Sequence, residues 1–129
     1  MTRRATEGDR GERGNATGLV AVGVLLVGVL VAVFVIASAY RATAHRVQGA
    51  ADLAAVAGGQ AVLAGGDGCA AASGSASVNH VSVTSCRVSG DEIDFVVTVA
   101  VRGDPGWRPF GLSLAVDAHA NAGVLQEES

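Results

Sequence analysis

Residues 18–40 read GLVAVGVLLVGVLVAVFVIASAY, a stretch that is rich in Val, Leu, Ala and Gly and carries no charged side chain. As an α-helix that rises about 1.5 Å per residue, this stretch is roughly 34 Å long, which is enough to cross a bilayer core of about 30 Å. An uncharged apolar run of this length is typical of a transmembrane helix and uncommon in the cores of soluble proteins. The sequence therefore predicts a single-pass membrane protein organised around this stretch.

The charges on either side of the apolar stretch predict its orientation. Residues 1–17 are polar, contain four arginines and lack hydrophobic periodicity, so they are expected to form a disordered leader. On the other side only Arg41 and Arg46 follow closely. Because cytoplasmic flanks carry the excess of basic residues, we expect the leader in the cytoplasm and the rest of the chain outside the cell membrane.

Two processing sites compete around the apolar stretch. Ala37-Ser38-Ala39 is an A-x-A sequence at the end of the stretch, as signal peptidase prefers, and cleavage after Ala39 would release the remaining chain. An apolar run of this length usually stays in the membrane as an anchor. The other candidate is Gly14, which closes the charged leader and would leave Asn15 as the first residue of the mature chain.

The helical pattern continues over residues 41–64 but becomes amphipathic. Polar residues recur at spacings of three and four on one face, and small apolar residues recur on the opposite face. The polar face comprises Arg41, His45, Gln48 and Asp52, and the apolar face comprises Val47, Ala50, Ala54, Ala57 and Ala61. We expect this helix to be loosened or kinked at Gly58-Gly59 and to end at the glycines of residues 65–68.

Residues 65–125 are expected to form a small β domain, followed by a polar tail at 126–129. We predict a small-residue loop over 69–77, a bulge or bend near Thr84, a tight turn at Ser89-Gly90-Asp91, and strands over 78–88, 92–102 and 112–124. Alternation places Ile93 and Phe95 on one face of the second strand, and Leu112 and Leu114 on one face of the third. The predicted fold class is α+β: a long N-terminal helix, transmembrane and continuing outside, packed on a three-stranded antiparallel meander.

The two cysteines, Cys69 and Cys86, lie on the same side of the apolar stretch. The chain has neither a CxxC motif nor a Cys/His cluster, so a zinc site is not expected. In an extracytoplasmic domain the pair most simply forms one disulfide, which the chain-entropy estimate values at about 3 kcal/mol. Two free thiols in a cytosolic domain are the alternative.

The sequence offers no matched acid, base, nucleophile or metal-ligand set, so we expect neither an enzyme nor a cofactor or small-molecule substrate. Residues 41–129 carry five arginines against nine acids, which argues against nucleic acid as a partner. His45, His80 and His119 are interpreted as exposed structural histidines. Trp107 and Phe110, in a loop with two prolines, either cap the open end of the core or contact a partner.

The arrangement as a whole resembles a known family. A charged leader ends in Gly14, a long apolar helix follows, and its continuation RATAHRVQGAADLAAVAG at 41–58 precedes a small Cys-bearing β domain. This is similar to the TadE/TadG-like pilus-assembly proteins, in particular the small TadE-like proteins encoded near secretion genes, with AADLAAVA at 50–57 as the most specific part. The resemblance implies a pilin-like fold.

The same resemblance implies a role as a minor pilin-like or pseudopilin-like component of a Flp/Tad-type pilus or secretion apparatus. Such a component is held in the bilayer and contacts other Tad-type subunits through its helix. Pilin-like precursors usually carry Glu five residues into the mature helix, where this chain has Leu19, which favours an accessory subunit that does not polymerise. The alternative hypothesis is a secreted, small, disulfide-bonded binding module released after Ala39.

Overall fold

The computed structural model describes residues 7–106 and 108–124, and their arrangement confirms the α+β class. The chain divides into two compact units, with the boundary between Ser38 and Ala39. The strands form one antiparallel sheet in the order β1-β2-β3, with the long helix packed on it. The elements are α1 (Glu7–Leu63), α2 (Gly68–Val78), β1 (Ser82–Gly90), β2 (Phe95–Gly103) and β3 (Val116–Val124), with a tight turn at Pro109–Gly111 between β2 and β3.

The first unit is the N-terminal part of α1. From Gly14 to Val35 every side chain is exposed, although most are Val, Leu, Ala or Gly. Near the end of the unit, the Ser38 hydroxyl donates a hydrogen bond of 2.8 Å to the Phe34 carbonyl oxygen one turn earlier. This bond satisfies the hydroxyl inside the helix, so Ser38 does not interrupt the apolar run.

The core of the second unit lies between the C-terminal part of α1 and one face of the sheet. Alternate residues of β2, from Phe95 to Val101, point into this core and are fully buried. Their neighbours on β3 are small, since Ala118 and Ala120 pair with Val101 and Val99. A core of Val and Ala lets the helix approach the sheet closely, and the facing residues of α1 are Val47, Ala50, Ala51, Ala54 and Ala55.

The buried stripe of α1 differs from the predicted one. The pattern that ends at Ala57 and Ala61 repeats every 3.5 residues, whereas a straight α-helix repeats every 3.6, so the predicted stripe drifts away from the sheet. Ala57 and Ala61 are only half-buried, and the stripe instead passes through Gly58 and Gly59, which are buried. The polar face is exposed as predicted.

Gly58 lies where α1, α2 and the sheet pack closely together. A Cβ atom at this position would lie 2.9 Å from the Gly68 carbonyl oxygen and 3.0 Å from Val97 Cγ1. The helix stays α-helical through both glycines to Leu63, so their place in the sequence reflects this close approach. Helix α1 then ends as predicted: Gly65 adopts φ +76°, and the Gly66 N–H donates to the Ala61 carbonyl oxygen at 2.7 Å.

Helix α2 corrects the loop predicted over residues 69–77. Its run of Ala, Ser and Gly has modest helix propensity, so the local sequence favours an irregular segment. Two features favour the helix, one local and one tertiary. The Asp67 side chain caps it by accepting a hydrogen bond of 3.1 Å from the Ala70 N–H. Ala72 and Ala76 then bury one face against the core.

The sheet contains the predicted bulge and the predicted turn. The register between β1 and β2 shifts between Val83 and Ser85, and the extra residue, Thr84, donates its hydroxyl to the Ala100 carbonyl oxygen at 3.2 Å. At the turn, Gly90 adopts φ +109° and the Asp91 N–H donates to the Asp94 carbonyl oxygen at 2.7 Å.

The predicted starts of all three strands were too early, and β1 begins at Ser82 because residue 78 still belongs to α2. Ile93 is 64% exposed because residues 91–94 are used to reverse the chain, so β2 begins at Phe95. Leu112 is 56% exposed and precedes β3, which begins at Val116. At the starts of β2 and β3, apolar and polar residues continue to alternate beyond the strand, so the predicted strand extends into the loop that joins it to the preceding antiparallel strand.

Substituting Gly58 with Ala is expected to lower the free energy of unfolding by about 1–3 kcal/mol. The new methyl group overlaps a backbone carbonyl that cannot move easily, which outweighs the gain in helix propensity. Gly49→Ala is the matched control, because a Cβ there meets no atom within 4 Å, and it is expected to stabilise the helix by up to about 1 kcal/mol. Hydrogen-exchange protection of the β2 amides measures both effects. Equal protection in the two variants would contradict the close packing.

Candidate functional site

The apolar stretch 18–40 lies entirely within α1, and its large side chains, apart from the half-buried Ile36, are exposed. Fully burying one Val, Leu or Phe side chain is worth about 1.5–3 kcal/mol. The free energy that would be gained by burying all the large apolar side chains of this stretch therefore exceeds the 5–15 kcal/mol stability of a typical domain. By length and composition α1 contains a candidate membrane span, and lipid is the environment that suits a helix with apolar side chains all round.

The second unit contains the predicted disulfide between Cys69 and Cys86. The two sulfur atoms are 2.10 Å apart and the Cα atoms 5.8 Å apart, so α2 is covalently attached to β1. Cys86 faces the core beside Val99 and is half-buried. The closed loop contributes about 3 kcal/mol by the chain-entropy estimate, and such bonds persist in oxidising compartments.

Both candidate processing sites lie within α1. Gly14 and Asn15 are exposed, in the first unit. Ala37 is exposed and Ala39 is half-buried, and the Ala39 carbonyl oxygen accepts a hydrogen bond of 3.0 Å from the Thr43 hydroxyl. The boundary between the two compact units, after Ser38, falls inside the A-x-A sequence.

The connection between β2 and β3 carries the candidate contact residues. Phe110 is 86% exposed, so it does not cap the core as one of the two predicted alternatives required. Its backbone adopts φ +55°, a conformation that bulky residues rarely take. Trp107 lies outside the described residues.

This connection is attached to the part of α1 that begins the second unit. The Arg46 guanidinium donates to the Asp104 carbonyl oxygen at 3.4 Å. The Asp104 carboxylate accepts from the Gly106 N–H at 2.9 Å and forms an ion pair of 3.8 Å with Arg108. Sequence reasoning missed this attachment, because Arg46 and Asp104 are 58 residues apart and neither lies in a motif.

The opposite face of the sheet is polar and carries one well-formed ion pair. The Arg102 guanidinium binds the Asp117 carboxylate through two hydrogen bonds, of 2.8 and 3.2 Å, across paired positions of β2 and β3. The hydrogen bond from Arg102 lowers the pKa of Asp117, and the same bond raises the pKa of Arg102. Both groups are exposed, so the pair is a surface interaction.

The three histidines, His45, His80 and His119, are exposed. The Gln48 side chain donates to the His119 carbonyl oxygen at 3.0 Å, so His119 contributes its backbone to the contact between α1 and β3. Over residues 7–106 and 108–124, His, Cys, Asp and Glu form no group of three that could hold a metal ion.

Comparison of the chain with protein-family models, with curated proteins and with solved structures finds no significant match. The features on which a function can be based are therefore physical ones. They are the exposed apolar helix, the disulfide-bonded domain joined to it, and the exposed loop beside residues 42–46.

The Arg102–Asp117 ion pair is expected to make stability depend on pH at the acidic end. Because the pKa of Asp117 is lower in the folded protein than in the unfolded chain, the pair stabilises the fold above about pH 4 and this contribution is lost as the pH falls through the lowered pKa. Urea unfolding of the full chain in non-ionic detergent, compared with Asp117→Asn, measures the difference in unfolding free energy. That difference is expected to shrink in acid.

Arg102→Gln is the control for this experiment, since it removes the cation and leaves the carboxylate. In this background Asp117→Asn is expected to have an effect that changes much less with pH over the same range, because the attraction between Asp117 and His119 remains but the stronger interaction with Arg102 is gone. The difference in unfolding free energy between the wild-type chain and Asp117→Asn could instead stay constant down to about pH 2, well below the usual range of carboxyl pKa values. That result would show that the pair has no electrostatic effect on stability.

Proposed function

We propose that this chain is a membrane-anchored structural subunit, a TadE-like minor pilin-like or pseudopilin-like component of a Flp/Tad-type pilus or secretion apparatus. The observation that carries the proposal is the exposed apolar stretch 18–40, which continues in the same helix into a disulfide-bonded α+β domain. The proposed role is structural, with the helix as the anchor and the domain as the part presented outside the cell membrane.

The anchor and its orientation are supported by energetics and charge. An apolar helix of this length is stable when lipid covers its side chains, and its backbone groups are already paired within the helix. The arginines of residues 1–17 favour a cytoplasmic N-terminus, with the second unit on the extracytoplasmic side. A disulfide suits that side, where oxidising conditions prevail.

Contact with other subunits is proposed to use the solvent-facing side of α1. The face that packs on the sheet is buried, but Gly49, Leu53, Val56 and Leu63 follow spacings of four, three and seven on the other side and are exposed. Exposed Leu and Val at helical spacing offer a neighbouring helix a surface to bury. Helix-to-helix stacking of this kind would supply the association energy.

The alternative is a secreted binding module released after Ala39. The specific observation that favours it is that the boundary between the compact units lies at Ser38 and Ala39, inside the predicted signal-peptidase sequence. After cleavage, the core of Val and Ala, the disulfide and the exposed Phe110 would all remain in the released part.

Mass spectrometry of the mature N-terminus, on membrane and secreted fractions of the native host, separates the two candidates. A start at Asn15 in the membrane fraction supports prepilin-type processing, and an uncleaved membrane protein supports a signal-anchored accessory subunit. A start at Tyr40 in the secreted fraction would overturn the anchor and favour the secreted module.

Replacing Leu25 and Val29 together with Arg is expected to prevent stable membrane insertion. Each Arg near the centre of a spanning helix costs about 2.5–3.5 kcal/mol on the insertion scale, and these two lie on the same face. The matched control, Gly49→Arg with Leu53→Arg, has the same spacing in the same helix but lies after residue 40. Resistance to alkaline carbonate extraction is expected to be lost in the first variant and kept in the second.

The control variant also tests the subunit contact. A pull-down in mild detergent with the wild-type chain is expected to recover other Tad-type components, and the Gly49→Arg, Leu53→Arg variant is expected to lose them while staying in the membrane. Recovery of no Tad-type component with the wild-type chain would reject the proposed apparatus, whatever the result of the extraction experiment.

A further inference from the structure

We propose that the β2–β3 connection forms a second membrane contact, in which Phe110 and Leu112 enter the interfacial layer of the bilayer. These two residues are called the apolar tip. The inference rests on the proposed membrane anchor. The anchor does not account for the exposed apolar residues of this loop, and the inference assigns them a partner. The partner is the lipid surface itself, at the level of the headgroups and the first acyl carbons.

The position of the connection is set by contacts within the second unit. Asp104 and Pro105 line a shallow hollow together with Ala42, Thr43 and Arg46 of α1, and the Arg46 guanidinium is hydrogen-bonded to the Asp104 carbonyl oxygen. In an α-helix Arg46 lies about 9 Å after Tyr40, the last residue of the apolar stretch. The connection is therefore attached to α1 within about two helical turns of the point where the chain leaves the lipid core.

The apolar tip is poorly explained by the domain alone. Phe110 is 86% exposed and Leu112 is 56% exposed, so the core gains little from either side chain. The backbone is nevertheless held in an unfavourable conformation at Phe110, with φ +55°. A surface that buries the Phe110 ring would compensate for this conformation, and aromatic residues are enriched at membrane interfaces.

The charges around the apolar tip suit a phospholipid surface. Arg41, Arg46 and Arg108 are all exposed and lie in the connection or in the first turns after the apolar stretch. The acid among them, Asp104, is paired with Arg108 at 3.8 Å and accepts from the Gly106 N–H. Guanidinium groups bind lipid phosphates well, so an apolar tip flanked by arginines fits a membrane interface.

The opposite end of the sheet offers an internal control. Ile93 is also a large apolar residue, 64% exposed, but it lies in the β1–β2 turn beside the start of β2, whereas the apolar tip follows the end of β2. Exposure is therefore similar at the two ends, and the attachment to residues 42–46 belongs to one of them. Only the β2–β3 end is expected to contact lipid.

The test uses the single tryptophan of the chain, Trp107, which precedes the apolar tip in sequence. The full chain is reconstituted into vesicles of phosphatidylethanolamine and phosphatidylglycerol, with and without phosphatidylcholine brominated near the headgroup end of its acyl chains. Trp107 emission is expected to be quenched by the brominated lipid and largely protected from aqueous iodide. Phe110→Asn, in which Asn tolerates the positive φ, is expected to reverse this pattern, and Ile93→Asn is expected to keep it.

Flotation of the same vesicles separates this inference from the proposed anchor. If the wild-type chain floats with the vesicles but Trp107 is quenched by iodide and not by brominated lipid, the membrane contact of the loop is overturned and the anchor stands. Emission that neither quencher reaches would show that protein covers the loop, which also overturns the inference. If the chain does not float, both proposals fail.

Discussion

The structure of the second unit depends on how closely α1 can approach the sheet. The helix contributes Val47 and a stripe of Ala and Gly, and the sheet contributes Val side chains and a single aromatic ring, that of Phe95. At Gly103 a Cβ atom would overlap the Val47 side chain, and at Gly58 it would overlap the Gly68 carbonyl oxygen. Small side chains therefore let the helix approach the sheet closely, so a thin core is still densely packed. The close packing of α1 on the sheet positions α2, the disulfide and the β2–β3 connection.

Much of this arrangement could be predicted because it depends on periodicity and local turn chemistry. The absence of charge over 18–40 identifies the apolar helix, and the alternation from Phe95 to Val101 identifies the central strand. The change in alternation around Thr84 indicates the bulge, and Gly90 indicates the reversal. Each of these signals lies within a few residues of the feature it predicts, so no tertiary information is needed.

Sequence reasoning missed features that depend on contacts across the chain, and one whose local signal is weak. Helix α2 has weak propensity, and the signal that could have revealed it was Asp67 at the N-cap position of an Ala-rich run. The attachment of Arg46 to Asp104 has no such signal, because a side chain to main-chain contact leaves no pattern in the sequence. The disulfide between Cys69 and Cys86 could be predicted, because they are the two cysteines of the chain and lie on the same side of the apolar stretch. The exposure of Phe110 could not be predicted from the sequence.

The Cys69–Cys86 bond also has a mechanical consequence. The bonded residues are 17 positions apart, with Cα atoms separated by 5.8 Å, and an extended chain of that length would span about 55–60 Å. If the chain is stretched between the apolar stretch 18–40 and β3, this segment, which contains most of α2 and the bulge, carries no load, because the disulfide connects its two ends directly. The fully extended chain is then shorter by about 50 Å. A domain with a disulfide of this kind therefore extends less under tension, even after the hydrogen bonds of the sheet have broken.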